Sequence, residues 1–171
     1  MLETWALLRD FGPHAVHSPP DEAREIRELI AHIIERYHEV HRAEFPQAIA
    51  LARKVEGVHR DVAEAPHGLA DHLQLMFDDL DAHQRREELV LFPTLEAGGC
   101  SVARFAIHRM MADHRDVERQ LATLRKLAGN YQPPAGACRT WRALLESCRK
   151  LDDDLTEHMR LEDEDLFSRF L

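Results

Sequence analysis

The feature that most restricts this chain is a sixteen-residue segment that occurs twice. Residues Asp78–Pro93, DDLDAHQRREELVLFP, return 75 positions later as Asp153–Ser168, DDLTEHMRLEDEDLFS. The identical pairs are Asp78/Asp153, Asp79/Asp154, Leu80/Leu155, His83/His158, Arg85/Arg160, Glu87/Glu162, Leu91/Leu166 and Phe92/Phe167. Each copy carries an H-x-x-x-E pair inside a stripe spaced by threes and fours. The first stripe is Leu69, Leu73, Met76, Leu80, His83, Glu87 and Val90; the second is Trp141, Leu144, Cys148, Leu151, Leu155, His158, Glu162 and Leu166. That spacing is helical, and residues four apart project from one face. The pattern therefore sends a histidine and a glutamate of each copy into a helical core. A lone carboxylate there costs several kcal/mol or takes up a proton. Two such pairs facing each other call for positive charge between them.

The rest of the chain supplies the frame for that core. A length of 171 residues suits one domain with a proper interior. Few glycines, abundant Leu, Ala, Glu and Arg, and no alternating run of β-branched residues predict an all-α protein. Residues 1–20 read as a short arm closed by Gly12, Pro13 and the Pro19–Pro20 pair, with the helical domain over 21–171. The first helix is expected to start at Asp21 as N-cap and to follow Ile26, Ile30, Ile34, His38, His41 and Phe45, with Pro46 kinking or restarting it. The second is expected to end near Pro93. After Gly98 and Gly99 a third follows Ile107, Met111, His114, Leu121 and Leu124, and after Pro133–Pro134 a fourth runs over about 135–167. Short connections between four helices predict an up-down-up-down bundle.

His38 and His114 are 76 positions apart, nearly the offset of the two H-x-x-x-E pairs. The chain thus reads as two hairpins about a pseudo-twofold axis, each giving one lone histidine and one H-x-x-x-E. The candidate metal ligands are His38, His83, Glu87, His114, His158 and Glu162, with His41 competing with His38 three residues on. Four imidazoles and two carboxylates suit two ions that share the carboxylates, with solvent oxygen completing each shell. Imidazole and carboxylate without thiolate suit iron, and manganese or zinc fit less well. Asp79 and Asp154, one turn before the two histidines, either orient an imidazole or face solvent. His59, His67, His72 and His108 take structural roles, His32 falls off the stripe, and His14 and His17 lie in the arm.

Charge and cysteine usage exclude several classes. A formal net charge of -9 argues against nucleic acid and anionic membranes as partners. Cys100, Cys138 and Cys148 form no CxxC and leave an odd count, against a secreted disulfide framework; Cys148 is expected as a small core residue. The N-terminus lacks a signal-peptide pattern and no apolar run is long enough to span a bilayer, so a cytoplasmic location is expected.

At these residues the chain resembles the hemerythrin-like di-iron proteins, in the branch called repair of iron centres. The matching strings are RYHEVHRAEFP around His38, GLADHL before the second helix, AHQRREELVLFP around His83, ADH ending at His114, and ACRTWRALL through EHMRLEDEDLF around His158. The resemblance implies His38, His83, His114 and His158 as terminal ligands and Glu87 and Glu162 as bridges of an oxo- or hydroxo-bridged di-iron pair. It further implies restoration of iron-sulfur clusters after nitrosative or oxidative damage, by binding or releasing iron, with damaged iron-sulfur proteins as partners and nitric oxide chemistry at the iron. A hemerythrin-like carrier or sensor of dioxygen or nitric oxide without turnover is the alternative, and a redox enzyme acting on nitric oxide or peroxide is a third. Two departures from the branch stand out. Its members commonly carry adjacent cysteines in an N-terminal module, whereas no cysteine precedes His38, and Ser168 replaces the usual proline after Leu-Phe.

Overall fold

A computed structural model describes residues 20–99 and 101–171. The expected arm, with Trp5, His14 and His17, lies outside the described residues, as does Cys100. Among the described residues there is no strand. The first helix is built of Pro20–Ile33, a π-helical turn Ile34–His38, and Glu39–Val58. The second is Leu69–Arg86, a π turn Glu87–Leu91, and Phe92–Glu96. The third, Ser101–Leu127, is uninterrupted. The fourth is Arg139–Arg160 followed by a π turn Leu161–Leu166 and the 3-10 turn Phe167–Phe170.

Apolar burial sorts into two clusters. One contains Ile26, Ile30, Ile33, Leu91, Phe92, Leu95, Ile107, Leu166 and Phe167. The other contains Phe45, Ile49, Leu69, Leu73, Leu80, Leu121, Leu124, Trp141, Leu151 and Leu155. The first and third helices pass from the first cluster to the second, and the second and fourth pass back. This alternation is the up-down-up-down bundle, in which the first helix packs on the second and fourth and the third packs on the same two. Each fully buried Leu, Ile or Phe contributes about 1.5–3 kcal/mol, which holds the helices together on both sides of a polar layer. His38, His41, His83, Gln84, Glu87, His114, His158 and Glu162 are all buried at the level where the clusters meet.

The three π turns account for the departures on the first and second helices. In each, an amide reaches back five residues rather than four: Glu39 to Ile34, Phe92 to Glu87, and Phe167 to Glu162. A wide turn inserts one residue and slips the buried stripe by one position. So Ile33 is fully buried and Ile34 only half-buried, and Leu91 takes the place expected for Val90, which is 62% exposed. The second helix also runs past Pro93 to Glu96, because the proline follows directly on the widened turn. Pro46 lies inside the first helix without ending it. On the third helix the stripe is Met110, His114, Val117, Leu121 and Leu124, so Met110 replaces Met111. At the turn before the third helix, Gly99 has φ +68 and a β-carbon there would meet the Phe170 ring at 2.8 Å.

No helix among the described residues is long and apolar enough to cross a membrane.

Candidate metal centre

Each helix brings its polar residues to the same depth. The first presents His38 at the end of its π turn, the third His114, and the second and fourth each a histidine one turn before a glutamate that lies in the first two residues of a π turn. Helical spacing brings His83 Nε2 to 3.0 Å from Glu87 Oε1, and His158 Nε2 to 2.9 Å from Glu162 Oε1. The other oxygen of each glutamate reaches across the bundle. Glu162 Oε2 lies 3.1 Å from His114 Nε2, and Glu87 Oε2 lies 3.6 Å from His38 Nε2. Two donor groups result: His38, Glu87, His158 and Glu162, and His83, Glu87, His114 and Glu162, each with its ligand atoms within 4.8 Å of one another. Both glutamates belong to both groups.

Hydrogen bonding inside the protein does not explain this arrangement. All four oxygens of Glu87 and Glu162 are buried without a hydrogen-bond partner among the described residues, as are Nε2 of His83 and of His114. Nε2 of His38 and Nε2 of His158 stand 3.1 Å apart, where at most one can donate to the other. Buried polar atoms are normally paired. Nitrogen and oxygen lone pairs that converge in this way fit a cation, and this His/Glu set fits iron.

Charge is spread accordingly. Burial presses the imidazole of His38 down, but Glu162, Glu87 and Glu88 outweigh it and hold it above the ordinary histidine value. His83 is likewise raised, burial being overcome chiefly by Glu87. For His114 burial is overcome by Asp163 and Glu162, to about 10. Glu162 is held well below the carboxylate range, burial being overcome by His158, His114 and His38.

Outside the six, His38 Nδ1 lies 2.8 Å from Glu88 Oε1, and His114 Nδ1 lies 2.9 Å from Asp163 Oδ1. Arg42 donates to Glu88 and Asp81 and so pins the carboxylate behind His38. Phe92 stacks on His38 with ring centres 5.8 Å apart, and Phe167 on His114 at 6.1 Å. These aromatics close one side of the layer to water. On the other, His83 lies in the wall of a cleft of about 310 Å³ with Ala82, Arg86, Arg109 and Asp113.

All six expected residues come together, and His38 rather than His41 faces the carboxylates. His41 is buried beside them, takes a hydrogen bond from Gln84 Nε2 at 3.0 Å, and is pushed down to about 2 by burial and by the neighbouring His158 and His38. Asp79 and Asp154 do not orient the imidazoles. Asp79 accepts from Gln120, and Asp154 from Arg36 and Lys150. The carboxylates that do back imidazoles, Glu88 and Asp163, each follow a shared glutamate directly, a signal that was present in the repeat. His67 and His72 meet backbone carbonyls and His59 meets Cys138, all in structural roles. Cys148 is buried in the apolar core.

Residues 29–170 match the family model described as the hemerythrin HHE cation binding domain. Similar proteins are named iron-sulfur cluster repair protein YtfE. The one from Musicola paradisiaca is 42% identical over 157 residues, covering 90% of this chain and 71% of that protein. The one from Dickeya chrysanthemi is 44% identical over 144 residues, covering 84% and 65%. The one from Pectobacterium atrosepticum is 41% identical over 157 residues, covering 89% and 71%. The chain thus spans about two thirds to seven tenths of the length of these relatives.

Proposed function

We propose that this chain, which belongs to the hemerythrin HHE cation-binding family, holds two iron ions and serves the repair of iron-sulfur clusters damaged by nitrosative or oxidative stress. His38 and His158 would hold one ion, His83 and His114 the other, and Glu87 and Glu162 would hold both. The observation that carries this is the pair of shared carboxylates, whose four oxygens are buried and take no hydrogen bond from the described residues. The functional half leans on the relatives' printed name, iron-sulfur cluster repair protein. Iron bound here supplies affinity for small ligands such as nitric oxide or dioxygen and one-electron chemistry, and iron passed to a damaged cluster is cargo.

The chain's own residues set the terms of that binding. Glu88 and Asp163 fix His38 and His114 with their Nε2 atoms turned inward, so the donor set is assembled before an ion arrives. Phe92 and Phe167 keep water from the imidazoles they cover. His41, held uncharged, adds no repulsion to an incoming cation. The partners are damaged iron-sulfur proteins, and the helical domain over 21–171 is the part that holds the metal.

The experiment is anaerobic purification without added metal, an iron count, and incubation with an apo iron-sulfur protein. Two irons per chain and transfer of iron into the acceptor cluster are expected. Reversible ligand binding with no loss of iron would favour a carrier or sensor, and steady-state consumption of nitric oxide with an electron donor would favour a redox enzyme.

A further inference from the structure

The four inward imidazoles are backed unequally, and the inequality follows the repeat. His38 and His114 have Glu88 and Asp163 against Nδ1. His83 Nδ1 faces Asp113 Oδ2 at 3.7 Å, and Asp113 immediately precedes His114. The residue that precedes His38 in the same way is Tyr37, whose ring stacks on His158 at 5.5 Å and 11°. His158 therefore faces an aromatic ring where His83 faces a carboxylate; among the described residues neither Nδ1 has a hydrogen-bond partner, but His83 Nδ1 has the Asp113 carboxylate nearby and His158 Nδ1 has none.

Next to Tyr37, His158 also meets His41, ring centre to ring centre 5.5 Å. His41 and its partner Gln84 are both 0% exposed, yet His41 Nε2 and Gln84 Oε1 have no partner. The corresponding positions in the second half, 76 and 75 residues on, are Val117 and Met159. The repeat thus has polar His41 and Gln84 in one half where the other half has apolar Val117 and Met159. A buried polar pair costs free energy unless its remaining bonds are made. Three orphaned buried atoms, His41 Nε2, Gln84 Oε1 and His158 Nδ1, are the kind of set that holds one buried water.

Resting on the di-iron reading, we propose that His41, steadied by Gln84, is a positioning residue for His158, tying its outward nitrogen through one buried water. A carboxylate behind an imidazole strengthens it as a ligand, and a neutral partner does so less. The ion between His38 and His158 is then the more weakly held of the two and the first to leave.

The test is an anaerobic titration of metal-free protein with ferrous iron against a competing chelator, alongside denaturant unfolding of the same metal-free samples. Wild type is expected to bind two ions in steps at least about tenfold apart. The double substitution H41V/Q84M, which installs the residues of the other half, should weaken the weaker step by a further 10–100-fold and spare the stronger, while metal-free unfolding shows no loss of stability. Y37D, which gives His158 the carboxylate that His83 has, should draw the two steps together, and D113N should weaken the stronger one. Two equal steps in wild type, or an H41V/Q84M titration that leaves both steps in place or shifts both alike, overturns the role of His41. Fewer than two ions at saturation overturns the di-iron reading instead.

Discussion

Glu162→Gln gives the sharpest test of the shared carboxylates. The substitution keeps the shape of the side chain and removes one negative charge from a position that is 0% exposed. Its oxygens stand 2.9 Å from His158 Nε2 and 3.1 Å from His114 Nε2, one in each donor group. Glutamine keeps one oxygen, so one group falls from four protein donors to three, the other holds a neutral amide oxygen in place of a carboxylate, and the anionic donors fall from two to one. Loss of a group that merely orients a ligand costs about 10–100-fold in metal affinity. Loss of a donor shared by both ions should cost at least about 100-fold, about 2.7 kcal/mol. The assay is iron content after purification and the rate of iron loss to a chelator, with Glu164→Gln on the exposed face of the same helix as the control for net charge. Glu162→Gln should keep one iron or fewer and Glu164→Gln the wild-type content. Two irons retained in Glu162→Gln with wild-type resistance to the chelator would refute sharing by this residue. Metal-free protein gives an independent reading. His114 is held at about 10 against an ordinary 6.5, burial being overcome by Asp163 and Glu162. Its contribution to stability is full below about pH 6.5 and fades as pH rises toward 10, and Glu162→Gln should narrow that window from the alkaline side.

Three further outcomes follow from the fold. Leu91→Asp buries a charge at a 3% exposed position and should cost about 3 kcal/mol or more in denaturant unfolding, whereas Val90→Asp should stay within about 0.5 kcal/mol; the reverse order would contradict the π turn at Glu87–Leu91. Asp154 is held below the ordinary carboxylate value, burial being overcome by Arg36 and Lys150, so its stabilisation is present above about pH 4 and lost as pH falls. Asp154→Asn should remove that acid limb from the stability profile, worth about 1 kcal/mol since Arg36 and Lys150 are half exposed. Cys138 is exposed with His59 Nε2 3.3 Å from its sulfur, which lowers its thiol, while burial pushes Cys148 up to about 12. Peptide mapping after brief alkylation of native protein at neutral pH should find Cys138 modified on the order of 100-fold faster than Cys148.

His83, Glu87, His158 and Glu162 were readable in advance because two constraints met on them. An internal repeat marked them, and a helical stripe placed a carboxylate where burial alone would not tolerate it. His114 followed from its position on the third stripe, and the repeat offset favoured His38 over His41. The partners of these groups were harder to see, since Asp79 and Asp154 had helical spacing in their favour and only packing shows that Arg36, Lys150 and Gln120 claim them. The π turns were the largest omission, and the reason is physical. Hydrophobic periodicity assumes one pitch along a helix, and a five-residue turn appears in it only as a slip: Ile33 to His38, or Glu87 to Leu91 where a continuing alternation would have chosen Val90. Wide turns are poorer in hydrogen-bond geometry than α turns and persist where packing or function requires them. Here two of the three carry in their first two residues the glutamates whose carboxylates face both donor groups, Glu87 and Glu162, and the other closes on His38. In those two, the amide five residues beyond the glutamate belongs to Phe92 and Phe167, the rings that cover His38 and His114. One backbone adjustment, made twice by the repeat, thus sets a carboxylate inward and an aromatic lid over the neighbouring imidazole, and this coupling explains why Phe92 and Phe167 recur together with the glutamates.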